Sequence, residues 1–177
     1  MTMNSTERLL LRHWRESDLD FLRELRNDIT LQARLLSTAR GSDIAAVRRW
    51  LERRTATPDD IFFVVSVREN EVPIGYIQCT KEANSTNGFR AGICLADGWQ
   101  SRGYGPEVML WLERHLAANF MPQKIILHVD VDNHQAVACY RKLAYREVGV
   151  MKSHVKVGND WRDVLVMEKL LTDIGGR

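Results

Sequence analysis

The sequence predicts an α+β fold, a mixed α/β sheet of about seven strands, mostly antiparallel, with helices flanking it. Three observations carry this reading. Segments rich in β-branched and aromatic residues dominate the middle and the end of the chain. Two helical segments precede them. A further amphipathic helix crosses between the strand ending at Ala96 and the strand starting at Lys124, and such a crossover makes those two strands a parallel pair.

Taken in order, Glu7 to Trp14 reads as a strand, and Ser17 opens a helix in which Leu19, Leu22, Leu25 and Arg26 follow helical spacing, with Ser17 and Asp18 as caps. Asp43 to Arg54 repeats that spacing through Ile44, Val47 and Leu51 until Pro58 closes it. Ile61 to Val67 and Val72 to Thr80 form a hairpin punctuated by Glu69-Asn70-Glu71. Ser85 to Gly88 is turn chemistry, and Phe89 to Ala96 is a strand that runs into a glycine-containing loop. Val108, Met109, Leu112 and Leu116 then mark the buried stripe of the crossing helix, which Asn119 to Pro122 ends. Lys124 to Val131 is a strand and Asn133 to Lys142 a short helix. The last two strands, Arg146 to Val155 and Asp160 to Leu170, turn at Gly158-Asn159-Asp160.

At 177 residues the chain is expected to be one domain, 1–177, long enough to bury about 70% of the surface its unfolded form exposes. A net charge of +2 is too small for a nucleic-acid surface, and no apolar run approaches a membrane span. The first twelve residues lack the apolar region of a secretory signal, so the protein is expected in the cytoplasm. Cys79, Cys94 and Cys139 are odd in number and widely spaced, which argues against a disulfide framework and against a zinc site. The basic cluster Arg48, Arg49, Arg53 and Arg54 reads as a solvated helix face, and Trp99, Trp111 and His115 read as packing.

Gln100-Ser101-Arg102-Gly103-Tyr104-Gly105-Pro106 ends a strand and opens a helix, where free amide groups and the helix dipole favour an anion such as a pyrophosphate. A nucleoside-triphosphate loop needs Gly-Lys-Ser/Thr, yet Pro106 and Glu107 follow Gly105. A dinucleotide fingerprint needs a small residue where Val108 stands.

The same segment fits Q/R-x-x-G-x-G/A, and some 28 residues further on Asn133-His134-Gln135-Ala136, then Tyr140-Arg141-Lys142-Leu143-Ala144-Tyr145, follow N-x-x-A…Y-x-K-x-G-F. With these linked motifs the chain resembles the GNAT superfamily of N-acetyltransferases. Arg8-Leu9-Leu10-Leu11-Arg12, with Asp18 beyond, resembles the branch of ribosomal-protein N-terminal acetyltransferases. Arg26-Asn27-Asp28 and Trp161-Arg162-Asp163-Val164 are similar both to that branch and to amino-sugar acetyltransferases.

The resemblance implies a sheet splayed after its fourth strand, with the pantetheine arm of acetyl-CoA bonded near Ile93 to Leu95. It implies pyrophosphate contacts from Gln100, Arg102, Gly103, Tyr104 and Gly105, a contact from Asn133, and Tyr140 as proton donor to the leaving thiolate. Many relatives use a glutamate as base. This chain offers Arg90 and His128 at the two corresponding positions, and His128 is the candidate base, with an ordered water as the alternative. No metal is expected. The acceptor is an amine: a protein N-terminus, a nucleotide-linked amino sugar or a small amine. Arg26, Arg34 and Arg40 suit an anionic one. A homodimer is common in the superfamily. A non-catalytic acyl-CoA-binding module is the alternative from another class, and it would need neither His128 nor Tyr140.

Overall fold

The computed structural model describes residues 4–83, 85 and 87–171. Seven strands, β1 (Leu9–Arg12), β2 (Ile61–Val67), β3 (Pro73–Lys81), β4 (Gly88–Leu95), β5 (Lys124–Asp130), β6 (Arg146–Val157) and β7 (Asp160–Leu170), make one sheet in the order β1-β2-β3-β4-β5-β7-β6. Every pairing is antiparallel except β4 with β5, the pair joined through a helix. That helix is α4 (Tyr104–Asn119), and α5 (His134–Lys142) links β5 to β6.

Among the described residues three α-helices precede β2 where two were expected, after a single 3-10 turn at Glu16–Asp18: α1 (Leu19–Asn27), α2 (Ile29–Arg34) and α3 (Ile44–Arg54). Asp28 accounts for the extra one. Its backbone is extended, which ends α1, and its carboxylate accepts the Leu31 amide at 2.8 Å, which starts α2. Asp43 caps α3 in the same way, accepting from the Ala46 amide at 2.7 Å. Asp18 stands at the cap position of α1, yet its carboxylate is taken by a stronger donor. It receives both Nη groups of Arg12, at 2.7 and 2.9 Å, and the Arg15 amide.

Apolar layers cover both faces of the sheet, which explains why β2 is apolar on both faces from Ile61 to Val65. Ile61, Phe63 and Val65 pack with Val108, Trp111, Leu112 and Leu116 of α4, while Phe62 and Val64 pack with Leu22, Val47, Trp50 and Leu51 of α1 and α3. No helix among the described residues is long and apolar enough to cross a membrane.

The parallel pairing of β4 with β5 runs only from Gly88↔Lys124 to Ala91↔Leu127. Beyond it each strand keeps its other neighbour: β4 stays with β3 as far as Leu95, and β5 stays with β7 as far as Asp130. The sheet therefore divides. The edge of β4 from Gly92 to Leu95 faces a gap whose opposite wall carries His128 and Val129.

Candidate active site

A cleft of about 730 Å³ occupies this gap. One side of it is built by the loop after β4. Ser101 and Gly103 both adopt left-handed backbone, with φ of 59° and 79°, and the chain then enters α4 with Gly103 as its cap residue. Among the described residues, no backbone acceptor takes the amides of Arg102, Gly103, Tyr104 or Gly105. Those amides, with the positive end of α4, form an anion-binding start to the cleft. Pro106, without an amide hydrogen, also lines it within the first helical turn.

Gln100 holds the loop shape by donating to the Leu95 carbonyl at 2.8 Å and to Asp97 at 3.1 Å, and Gln135 of α5 donates to Ser101 at 3.0 Å. Arg102 and Tyr104 are absent from the cleft lining. The Arg102 guanidinium lies over the Trp99 ring at 5.1 Å, and the Tyr104 ring lies under Arg8 at 4.6 Å. Arg8 also pairs with Glu107 at 2.6 Å, which neutralises a carboxylate in the first turn of α4.

Asn133 lines the cleft and caps α5, accepting from the Ala136 amide at 3.2 Å. The other end of α5 fixes Tyr140. The Tyr145 amide donates to the Tyr140 carbonyl at 3.0 Å and the Ala144 amide to Arg141 at 3.0 Å, with the two tyrosine rings 5.9 Å apart. This is the paired closure of a helix whose next residue is left-handed. That residue is Ala144, at φ 65°, where the motif in the family carries glycine. Tyr140 is 8% exposed, and its hydroxyl bonds to no described residue. Burial pushes its pKa up and keeps the phenol protonated.

His128 lines the main cleft and also an adjoining cavity of about 340 Å³ whose wall includes Arg90 and His154. Its pKa is lowered by burial first, then by the charges of Arg90 and His154, with Glu82 opposing. The imidazole is thus mainly neutral at pH 7 and able to accept a proton. Cys139 also lines the cleft, and burial raises its thiol pKa away from the thiolate that a nucleophile needs. Cys79 and Cys94 are buried, each pushed up to about 12.

The structure thus brings Ile93, Leu95, Gln100, Gly103, Gly105, His128, Asn133 and Tyr140 to one cleft. Lys142 joins them, whereas Arg141 turns to Glu147. Sequence reasoning missed Arg54. Read as part of a solvated face, it lines both cavities instead. The signal was present, since Arg54 lies four residues after Trp50 and so shares its inward face. Among the described residues no group of His, Cys, Asp and Glu is arranged to hold a metal ion.

A family model described as an acetyltransferase (GNAT) domain matches residues 8–146. The fold is shared with a spermidine N-acetyltransferase from Vibrio cholerae solved with CoA and spermine, at TM-score 0.85 and 20% identity over 94% of this chain and 98% of that one. A GNAT-family acetyltransferase from Bacillus anthracis matches at TM-score 0.81 and 18% identity, over 95% and 98% of the two chains. A dodecameric spermidine N-acetyltransferase of Vibrio cholerae matches at TM-score 0.80 and 20% identity, over 97% and 99%. Comparison with curated protein sequences finds no significant match.

Proposed function

Because the chain belongs to the GNAT family and is an acetyl-CoA-dependent N-acetyltransferase, we propose that its acceptor amine attacks the thioester directly, inside the gap between β4 and β5. The pyrophosphate lies on the amides that open α4. The pantetheine arm runs along Gly92 to Leu95, where β4 has no strand on that side and offers its backbone groups. His128 takes a proton from the amine, directly or through a water, and the free lone pair attacks the thioester carbon. The tetrahedral intermediate then collapses with cleavage of the carbon–sulfur bond, Tyr140 gives its proton to the departing thiolate, and the proton that the acetylated nitrogen sheds restores the phenol.

The observation that carries this reading is one continuous cleft lined by the glycine loop, the unpaired half of β4, His128 and Tyr140. A covalent acetyl-cysteine intermediate is disfavoured by the raised pKa of Cys139. The acceptor is a primary amine. Spermidine, the substrate named for the Vibrio cholerae neighbours, is one small-amine option beside a protein N-terminus and a nucleotide-linked amino sugar.

Calorimetry with acetyl-CoA, followed by free-thiol release over these acceptor classes, tests the proposal. Binding and turnover with at least one amine are expected. Absence of acetyl-CoA binding, or turnover unaffected by changes at both His128 and Tyr140, overturns it.

A further inference from the structure

The acceptor side of the cleft carries an excess of positive charge. Arg54, in the last turn of α3, is half-buried, lines both cavities and makes no ion pair or hydrogen bond with any described residue. Arg26, in the last turn of α1, lies 4.4 Å over the Trp50 ring, and its buried Nε has no hydrogen-bond partner. Arg90 lines the smaller cavity as an exposed residue, with a long ion pair to Glu82, 3.7 Å from Nε, that leaves its other guanidinium nitrogens available. Among the described residues, no aspartate or glutamate lines either cavity.

The half-buried guanidinium groups of Arg54 and Arg26, with no carboxylate partner, are costly unless something else compensates them. The pKa of Arg26 is lowered accordingly, by burial first and then by Arg53, Arg54 and Arg40, with only Tyr76 opposing. A polycationic acceptor would add to this repulsion. A guanidinium cluster instead suits a planar carboxylate or a phosphate, which it grips through paired hydrogen bonds.

We propose that the acceptor is an amine that also carries a carboxylate or a phosphate, and that Arg54, flanked by Arg26 and Arg90, holds this anionic group beside His128. The inference rests on reading the cleft as the acetyl-transfer site. The arginines fix the acceptor by its anionic end and leave its amine free to reach the thioester.

Thermal melts of the protein saturated with CoA, which fills the cofactor side, test it with inorganic phosphate and malonate as probes, against chloride of matched ionic strength and spermidine. Phosphate or malonate is expected to raise the midpoint by a few degrees, and the larger response names the anionic group. Arg54→Gln should abolish the shift, Arg90→Gln should reduce it, and Arg54→Lys should keep part of it. The variants' own midpoints, equal to or above wild type, show that they fold. The proposal is overturned if neither anion exceeds chloride, if Arg54→Gln responds as wild type does, or if spermidine gives the larger shift. The effect of CoA is read in the same melts: no CoA shift defeats the acetyl-transfer reading, while the anion response tied to Arg54 is scored separately without CoA.

Discussion

Gly105→Ala separates what the glycine loop does for binding from what it does for folding. Gly105 is the second residue of α4, its φ is not positive, and a Cβ built on it meets nothing within 4 Å. The fold therefore accepts alanine there, with a gain of up to about 1 kcal/mol from helix propensity. The new methyl group, however, is added to the cleft lining where, in the proposed mechanism, a phosphate oxygen approaches the loop amides. Each hydrogen bond to a charged group contributes about 1.5–3 kcal/mol, so loss of one lowers acetyl-CoA affinity by roughly tenfold to 150-fold. Gly103→Ala is the contrasting case. At φ 79° an alanine is strained by about 1–2 kcal/mol, which lowers the melting midpoint by about 2–8 °C. Calorimetry with acetyl-CoA and a thermal melt on both variants give the comparison. If Gly105→Ala binds acetyl-CoA as tightly as wild type while folding normally, the loop does not hold the pyrophosphate.

His128→Gln should slow acetyl transfer and flatten the pH–rate profile. Because the imidazole pKa lies below its usual 6.5, the wild-type rate falls only as pH drops beneath that value, and an acidic limb retained by the variant would exclude His128 as base. Tyr140→Phe removes a hydroxyl that bonds to no described residue, so the melting midpoint should hold while kcat falls about 10²- to 10⁴-fold, and a kcat near wild type would reassign the proton donor. Ala144→Gly relieves left-handed backbone at φ 65°, and after the added freedom of the unfolded chain a net gain of about 0.5–1 kcal/mol is expected. A lower melting midpoint for that variant would contradict the helix-end assignment.

The seven strands and the parallel pair were legible because apolar alternation and the crossing helix are local patterns, and Asp160–Leu170 matches its expected bounds. The linked motifs led to the glycine loop, to Asn133 and to Tyr140, all on or beside the cleft wall. What stayed hidden depends on long-range competition for polar groups. Nothing local says that Asp18 serves Arg12 instead of its own helix, or that the Asp28 side chain starts α2 within a stretch that reads as irregular. Arg54 escaped for a different reason. Its spacing from Trp50 marked the inward face, but a run of arginines reads first as solvent-facing.

The four rungs that join Gly88–Ala91 to Lys124–Leu127 act as the crotch of a fork, and in the proposed mechanism the fork sets where the chemistry occurs. Its depth is written in backbone register and not in any side chain. Adding or removing one rung would move the branching point by about 3.3 Å along the strands, which on that mechanism is enough to carry the thioester out of reach of the phenol. Substitutions on the prongs can therefore retune which amine enters, while insertions near the crotch would silence the enzyme without touching a reacting group.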